Sequence, residues 1–161
     1  MRIGVLSDIH DNMWALAEVL PRLNGCQALL VLGDLCAPFT ISDIAEGFRG
    51  PVHAVWGNND GDKLQITRNA DKAGNVTLHG NVAEVRFGGR RVAFAHYPDV
   101  AQAMAQGGIY DLVCHGHDHT RKITRMGNTI LLNPGEVMGR FGPRSYAVYD
   151  TESGEAEIIE F

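Results

Sequence analysis

The sequence lacks any apolar stretch near the roughly 20 residues that a bilayer crossing requires. Asp, Gly, Asn or Arg interrupts every candidate run, so a membrane-spanning helix is excluded. It also lacks an excess of positive charge: 14 Lys and Arg stand against 19 Asp and Glu, a formal net charge of -5. That balance counts against a general nucleic-acid binder, whose affinity comes largely from neutralised phosphates. Cysteine is scarce. Cys26, Cys36 and Cys114 are far apart and odd in number, which fits reduced, buried thiols and not a disulfide framework or a zinc knuckle. The opening run Met1 to Leu6 carries one Arg and gives way at once to Asp8 and His10, so it does not read as a signal peptide, and a cytoplasmic location is expected.

What is present describes one compact domain spanning residues 1–161. The chain is 45% hydrophobic and 20% charged, and its 19 Gly and 6 Pro lie between apolar runs instead of clustering. A domain of this size buries about 68 to 70% of its unfolded surface. Residues 2–6, 28–32 and 52–56 are continuous apolar runs, as expected of strands covered on both faces. Trp14, Leu16, Ala17, Val19, Leu20 and Leu23 recur at helical spacing, and Trp14, Leu16 and Leu20 are expected to be core. Ile41, Ile44, Ala45 and Phe48 do the same, with Thr40 or Ser42 available as a cap. Strand and helix therefore alternate through the first half, which predicts parallel crossovers. Beyond residue 74 the spacing predicts strands over 76–78, 82–87, 91–95, 112–114, 122–125, 129–132, 146–149 and 156–159, and a short helix over 101–106. Gly88-Gly89 and Gly127-Asn128 read as hairpin turns. The simplest architecture is α/β, two stacked sheets with helices outside.

The informative fact is where the polar residues fall. Asp8 and His10 follow the first strand, Asp34 the second, Asn58 the third, His96 the strand 91–95, and His117 and His119 the strand 112–114. Strand carboxyl ends line the crevice where open α/β sheets bind ligands, so residues distant in sequence can converge there. Converged, they would form a set of two Asp, one Asn and four His, a mixture of oxygen and nitrogen donors suited to divalent metals. Seven ligands exceed the needs of one tetrahedral ion, and a carboxylate can bridge, so two ions about 3.5 to 4 Å apart are the natural division. In an extended segment, Asp8-Ile9-His10 would aim both side chains to one side, and His117 and His119 stand in the same relation.

Asp8-x-His10, Gly33-Asp34, Gly57-Asn58-x-Asp60, His96 and Gly116-His117-x-His119, in this order, resemble the calcineurin-like metallophosphoesterase superfamily, in particular its small bacterial and archaeal phosphodiesterase branch. Asn133-Pro134-Gly135 and Ser145-Tyr146-Ala147-Val148 extend the likeness over nearly the whole chain. The resemblance implies a four-layer fold, two mixed β-sheets flanked by helices. It implies a centre of two divalent cations, manganese most of all, with iron, nickel or zinc as alternatives. It puts Asp8, His10 and His119 on one metal, Asn58, His96 and His117 on the other, and Asp34 between them. The implied chemistry is hydrolysis of a small-molecule or nucleotide phosphodiester by hydroxide formed from an acidified water. Asp34, Asn58, Asn59 and Asp60 are the catalytic candidates. Asn12, expected at the N-terminus of the first helix, joins Asn59 as a candidate phosphate contact. A homodimer is a family-level expectation.

Departures from the family pattern bear on substrate range. The protein-phosphatase relatives carry a His after the metal-binding Asn, thought to assist the leaving group. Asn59 stands there instead and cannot supply a proton at neutral pH. Diesters with acidic leaving groups are therefore favoured over unactivated monoesters. Asp118 and Glu136 replace the usual Thr or Ser and Ser, and either orient an imidazole or face solvent. His53 and His79 are expected to be hydrogen-bonded structural residues, His115 is left out of the metal set, and Cys36 is expected to be a packed thiol. Arg121, Lys122 and Arg125 read as a solvated strand face. Two other classes compete. One is a protein-binding scaffold like the retromer subunit that resembles this branch, which has lost metal ligands whereas all seven positions are present here. The other is a Rossmann-type nucleotide domain, for which no G-x-G-x-x-G follows the first strand.

Overall fold

A computed structural model describes residues 1–161. In chain order its elements are β1 (Arg2–Leu6), α1 (Met13–Val19) with a 3-10 turn over Leu20–Leu23, β2 (Ala28–Val31), α2 (Pro38–Gly47), β3 (Val52–Ala54), α3 (Lys63–Ala73), β4 (Val76–Leu78), β5 (Val82–Phe87), β6 (Arg90–Ala95), α4 (Pro98–Gln106), β7 (Leu112–Cys114), β8 (Lys122–Met126), β9 (Thr129–Asn133), β10 (Ser145–Asp150) and β11 (Glu155–Glu160). A six-stranded sheet runs β11-β10-β1-β2-β3-β4 and a five-stranded sheet runs β5-β6-β7-β9-β8. Strands β1 to β4 are parallel to one another, as are β6, β7 and β9; the remaining pairs are antiparallel. Both sheets are therefore mixed, with a parallel centre.

The continuous apolar runs arise because the central strands are covered on both sides. Ile3, Val5, Leu30, Phe94, Leu112, Leu132 and Tyr149 fill the space between the sheets. Alternate residues of the same strands, such as Leu29 and Val31, face outward against Leu16 and Val19 of α1, Ile41 and Ile44 of α2, and Ile66 and Ala70 of α3. On the far side, Ala93 and Val113 pack against Ala101 and Ala105 of α4. The order of layers is helices, sheet, sheet, helix. None of the helices is long and apolar enough to cross a membrane.

Gly88 and Gly89 form the expected two-residue hairpin between Phe87 and Arg90, with φ of 53° and 83°, the left-handed pair that such turns demand. Three expectations need correction. Helix α2 begins at Pro38, two residues before the proposed cap, because a proline at the first helical turn loses no hydrogen bond. The Thr40 hydroxyl instead donates to Asp11 Oδ1 at 2.7 Å. Trp14 is not core: it is 86% exposed, while Leu16 and Leu20 are buried. Helix α3 had no counterpart in the sequence reading, although Asp62 caps it by accepting from Gln65 N at 2.9 Å and Gly74 closes it at φ 78°.

His53 of β3 and His79 after β4 are hydrogen-bonded as expected, and their partner is each other, with Nδ1 and Nε2 2.9 Å apart and rings stacked at 5.1 Å. Burial holds both below the usual histidine range. Their folded pKa lies below the unfolded value, so between the two the unfolded chain binds more protons and stability rises with pH. Their contribution is complete above about pH 6.5 and erodes as pH falls through that value. We expect a His53→Leu/His79→Leu double variant to lose less stability than the wild type between about pH 7 and pH 5, in urea denaturation at matched ionic strength. Parallel pH dependence of the two proteins would contradict the assignment.

Candidate metal centre

Six loops meet at the carboxyl edge shared by both sheets. Asp8 and His10 leave β1, Asp34 leaves β2, Asn58 follows β3, His96 follows β6, His117 and His119 follow β7, and Glu136 follows β9. Backbone hydrogen bonds join the loops directly. The Ile9 and His10 amides donate to Asp34 O at 3.0 and 2.9 Å, Gly116 N donates to His96 O at 3.1 Å, and Met138 N donates to Asp8 O at 3.0 Å. The loops approach so closely that a Cβ at Gly116 would strike Ser7 Oγ and Asp8 Oδ2, and one at Gly57 would strike Asp34. These clashes explain why glycine precedes the ligand in two of the motifs.

The donor atoms fall into two groups. Asp8 Oδ1 lies 3.8 Å from His10 Nε2 and 3.5 Å from His119 Nε2, and His10 Nε2 lies 3.4 Å from Asp34 Oδ2. Asp34 Oδ2 also lies 3.5 Å from His96 Nε2, which is 3.0 Å from Asn58 Oδ1 and 3.2 Å from His117 Nδ1. Asn58 Oδ1 and His117 Nδ1 are 2.9 Å apart. All seven predicted ligands are thus brought together, in the two groups expected, with one Asp34 oxygen common to both.

The chemistry of the donors tests whether cations fit. Asp8 Oδ1 and His10 Nε2 are buried and without a hydrogen-bond partner, an unfavourable state that a cation would relieve. The imidazoles are oriented from behind. His96 Nδ1 donates to Leu32 O at 2.8 Å and His119 Nδ1 to Glu136 Oε2 at 2.7 Å, which leaves each Nε2 lone pair facing inward. Asp8 Oδ2 accepts from Ser7 Oγ at 2.6 Å and His117 N at 3.1 Å, turning Oδ1 toward the cluster. Titration tendencies show the same demand for positive charge. His10 is raised by the Asp8 carboxylate, at an ion-pair distance rather than in a formed hydrogen bond, with help from Asp34 and against burial. Burial opposes protonation of His96, yet Asp34 beside it prevails and raises it. Burial likewise opposes ionisation of Asp34, but the His96 ring and the Asn59 N–H groups hold its carboxyl far below the usual range. The residues present therefore fit divalent metal ions.

Several expectations change. The ligand pairs do not converge through an extended backbone: Asp8, His10, Asp34, His117 and His119 all have positive φ, between 45° and 74°. Left-handed corners, not strand alternation, aim the side chains. Asn12 caps α1, Oδ1 accepting from Ala15 N at 3.2 Å and Nδ2 donating one of its two hydrogens to Met138 O at 2.8 Å. Asp60 is buried and does not face the cleft. Its oxygens accept from the backbone N–H of Leu35, Cys36, Gly57 and Asp34 at 2.8, 3.0, 2.7 and 3.3 Å, which makes it a positioning residue for the Asp34 loop. Asn59 reaches both Asp34 oxygens, through its backbone N and its Nδ2, each at 2.8 Å. Asp118 accepts from Thr120 N and Asn133 Nδ2 and orients no imidazole, whereas Glu136 does. His115 turns to its neighbour Gly116 O and stays outside the cluster. Burial, with the nearby carboxylates, pushes the Cys36 thiol up to about 12, which opposes reactivity. Arg121 and Arg125 pair with Glu160 and Glu155 of β11, away from the ligands.

Comparison with known proteins finds likeness over nearly the whole chain. The family model of the calcineurin-like phosphoesterase superfamily domain matches residues 1–154. A phosphodiesterase of Methanocaldococcus jannaschii is 25% identical over 167 residues, covering 99% of this chain and 98% of that protein. The solved structure of an archaeal phosphodiesterase superposes with a TM-score of 0.92 at 23% identity, covering 100% of both chains. Vps29 of Entamoeba histolytica, crystallised with zinc, superposes with a TM-score of 0.70 at 18% identity, covering 99% of each chain.

The Asp60 geometry gives a direct test. Asp60→Ala would strand buried N–H groups at about 1 to 3 kcal/mol each. We expect it to lower stability in denaturant by more than about 3 kcal/mol, whereas Asn59→Ala, which removes a single side-chain hydrogen bond to the Asp34 carboxylate, costs less, about 1.5 to 3 kcal/mol at most. Equal effects of the two substitutions would refute the positioning role.

Proposed function

Because the chain belongs to the calcineurin-like phosphoesterase superfamily, we propose that it is a metal-dependent phosphodiesterase acting on small-molecule or nucleotide phosphodiesters. The observation that carries this reading is the pair of inward-facing donor groups sharing Asp34 Oδ2. Asp8, His10 and His119 would hold one cation, Asn58, His96 and His117 the other, and Asp34 both. The donors are oxygen and nitrogen without sulfur, which suits manganese first and iron, nickel or zinc next. When bound, the two cations supply Lewis acidity and bring a water's pKa near neutrality.

The chain's own residues do the rest. Asp34, kept ionised, turns its Oδ2 toward both groups, and Asp60 fixes its backbone. Asn58 contributes a neutral oxygen where an anionic substrate must approach. Asn59 holds Asp34 and presents an exposed amide beside it, able to donate to a phosphoryl oxygen but not to protonate a leaving group. That favours diesters with acidic alcohols over unactivated monoesters. The archaeal relative's designation as a phosphodiesterase supports the same substrate class. Three free cysteines fit a reducing, cytoplasmic setting.

Chelator-stripped protein is expected to be inactive on bis(p-nitrophenyl) phosphate and to recover turnover with manganese. Asp34→Ala should lower kcat/KM by more than about 100-fold, the upper range for loss of a metal's outer partner alone. A protein inert with every divalent cation would leave only the scaffold reading. Turnover indifferent to chelator and to Asp34 would overturn the proposed centre. Asn59→His is expected to raise monoester relative to diester kcat/KM, toward the about 100-fold low end of general-acid contributions. An unchanged ratio would remove the leaving-group argument.

A further inference from the structure

The half of the centre that contains His119 is backed by a third carboxylate. Glu136 lies just past β9, the parallel strand end at the cleft to which no ligand is assigned. It is buried, 1% exposed, and both oxygens are used. Oε2 accepts from His119 Nδ1 at 2.7 Å, and Oε1 accepts from the backbone N–H of Phe141 and Gly142 at 2.6 and 2.7 Å. Phe141, 70% exposed, stands edge-on to the His119 ring at 5.0 Å. One side chain thus fixes a ligand imidazole and the loop that walls the cleft beside it.

The other half has no equivalent. His96 is backed by the neutral Leu32 carbonyl, and Asn58 is an uncharged donor. A carboxylate behind an imidazole raises the basicity of its free nitrogen more than a carbonyl does, and Asp8 adds its own charge on the same side. Asp34 is shared and favours neither.

We propose that Glu136 is a positioning residue that makes the two halves unequal: acting through His119, it gives the Asp8/His10/His119 half the higher cation affinity, so that this half fills first. The inference rests on the reading of the cluster as a dinuclear metal centre. Only a carboxylate satisfies both sides at once. A Gln at this position has one acceptor oxygen, so either His119 or the Phe141–Gly142 backbone loses its partner.

The test is manganese titration of the chelator-stripped full chain by isothermal calorimetry. The wild type should bind in two steps of different affinity. Asn58→Ala should lose the weaker step and keep the tighter one, and His119→Ala should do the reverse. Glu136→Gln should weaken the tighter step by about 10- to 100-fold and leave the weaker one unchanged. In the metal-free wild type, the His119 Nδ1–H proton should appear in NMR spectra as a slowly exchanging, downfield resonance, and Glu136→Gln should shift or remove it. Equal weakening of both steps, an unchanged tighter step, or loss of the tighter step in Asn58→Ala would overturn the inference. If Glu136→Gln does not fold, Glu136→Asp serves in its place, and a wild type in which the Asp8/His10/His119 half is not the tighter one still overturns the inference. Absence of manganese binding by the wild type is a separate failure, that of the metal centre itself.

Discussion

At the edge of both sheets, lone pairs point at lone pairs. The Asp8 and Asp34 carboxylates, the Asn58 carbonyl and the ring nitrogens of His10, His96, His117 and His119 crowd together with neighbouring atoms 2.9 to 3.8 Å apart. Two of these atoms, Asp8 Oδ1 and His10 Nε2, have no hydrogen-bond partner at all. Such a cluster is unfavourable unless protons or cations enter it, because burial strengthens electrostatic repulsion as much as attraction. The raised His10 and His96 are the protein's own partial answer, since a protonated ring brings positive charge. Divalent cations answer the same demand without occupying the ring nitrogens with protons. The surrounding loops serve to hold the cluster together against that repulsion.

The loops do so with conformations that are themselves costly. Non-glycine residues in the left-handed region carry about 1 to 2 kcal/mol each, and seven are found: Asp8, His10, Asp11, Asp34, Cys36, His117 and His119. Five of them are candidate ligands, and the other two flank ligands in the same loops. Strain of this kind persists only where surrounding structure over-determines it. Here the surroundings are specific. Asp60 gathers four N–H groups of the Asp34 and Asn58 loops, Asp11 Oδ1 accepts from Ala37 N and the Thr40 hydroxyl, and the Asp8 backbone is tied to Gly33 and Met138. Asp60, which looks like a catalytic group in the sequence, is thus, like the half-buried Asp11, a fastener for the loops that carry the candidate ligands.

This division explains what could be read from the residues alone. The layered architecture was legible because continuous apolar runs such as residues 28–31 have no other explanation than cover on both faces. The ligands were legible because each stands at a strand's end, a place topology brings to one edge whatever the loop conformation. Direction within a loop was not legible. Whether Asp60 faces the cleft or the backbone behind it depends on a turn that composition does not determine, and the left-handed corners replaced the assumed extended geometry without changing which residues meet. Trp14 was misplaced because helical spacing identifies a stripe but not its edges, and this ring lies outside the stripe that Leu16 and Leu20 bury. Helix α3 went unassigned although Asp62, Gln65 and Gly74 carried its end signals, because only Ile66 and Ala70 mark its buried face. For Glu136, left between orienting an imidazole and facing solvent, the strand-end rule that located the candidate ligands applied equally to β9 and favoured the first.

The distribution of charge across the cleft favours an anionic substrate approaching from one side. Asp8 and Asp34, at 0% and 1% exposed, form the floor, while Asn58, Asn59 and His117 lie on the exposed rim. An incoming phosphate therefore meets neutral amides and an imidazole first, and the carboxylates only from behind any cations they hold. A chain with a net charge of -5 would otherwise repel such a ligand. Exchanging rim and floor, with an aspartate where Asn58 stands, would preserve a ligand oxygen at nearly the same position yet place a negative charge against the substrate. A neutral amide at Asn58 would thus let buried carboxylates hold cations without setting a further negative charge in the path of an anion.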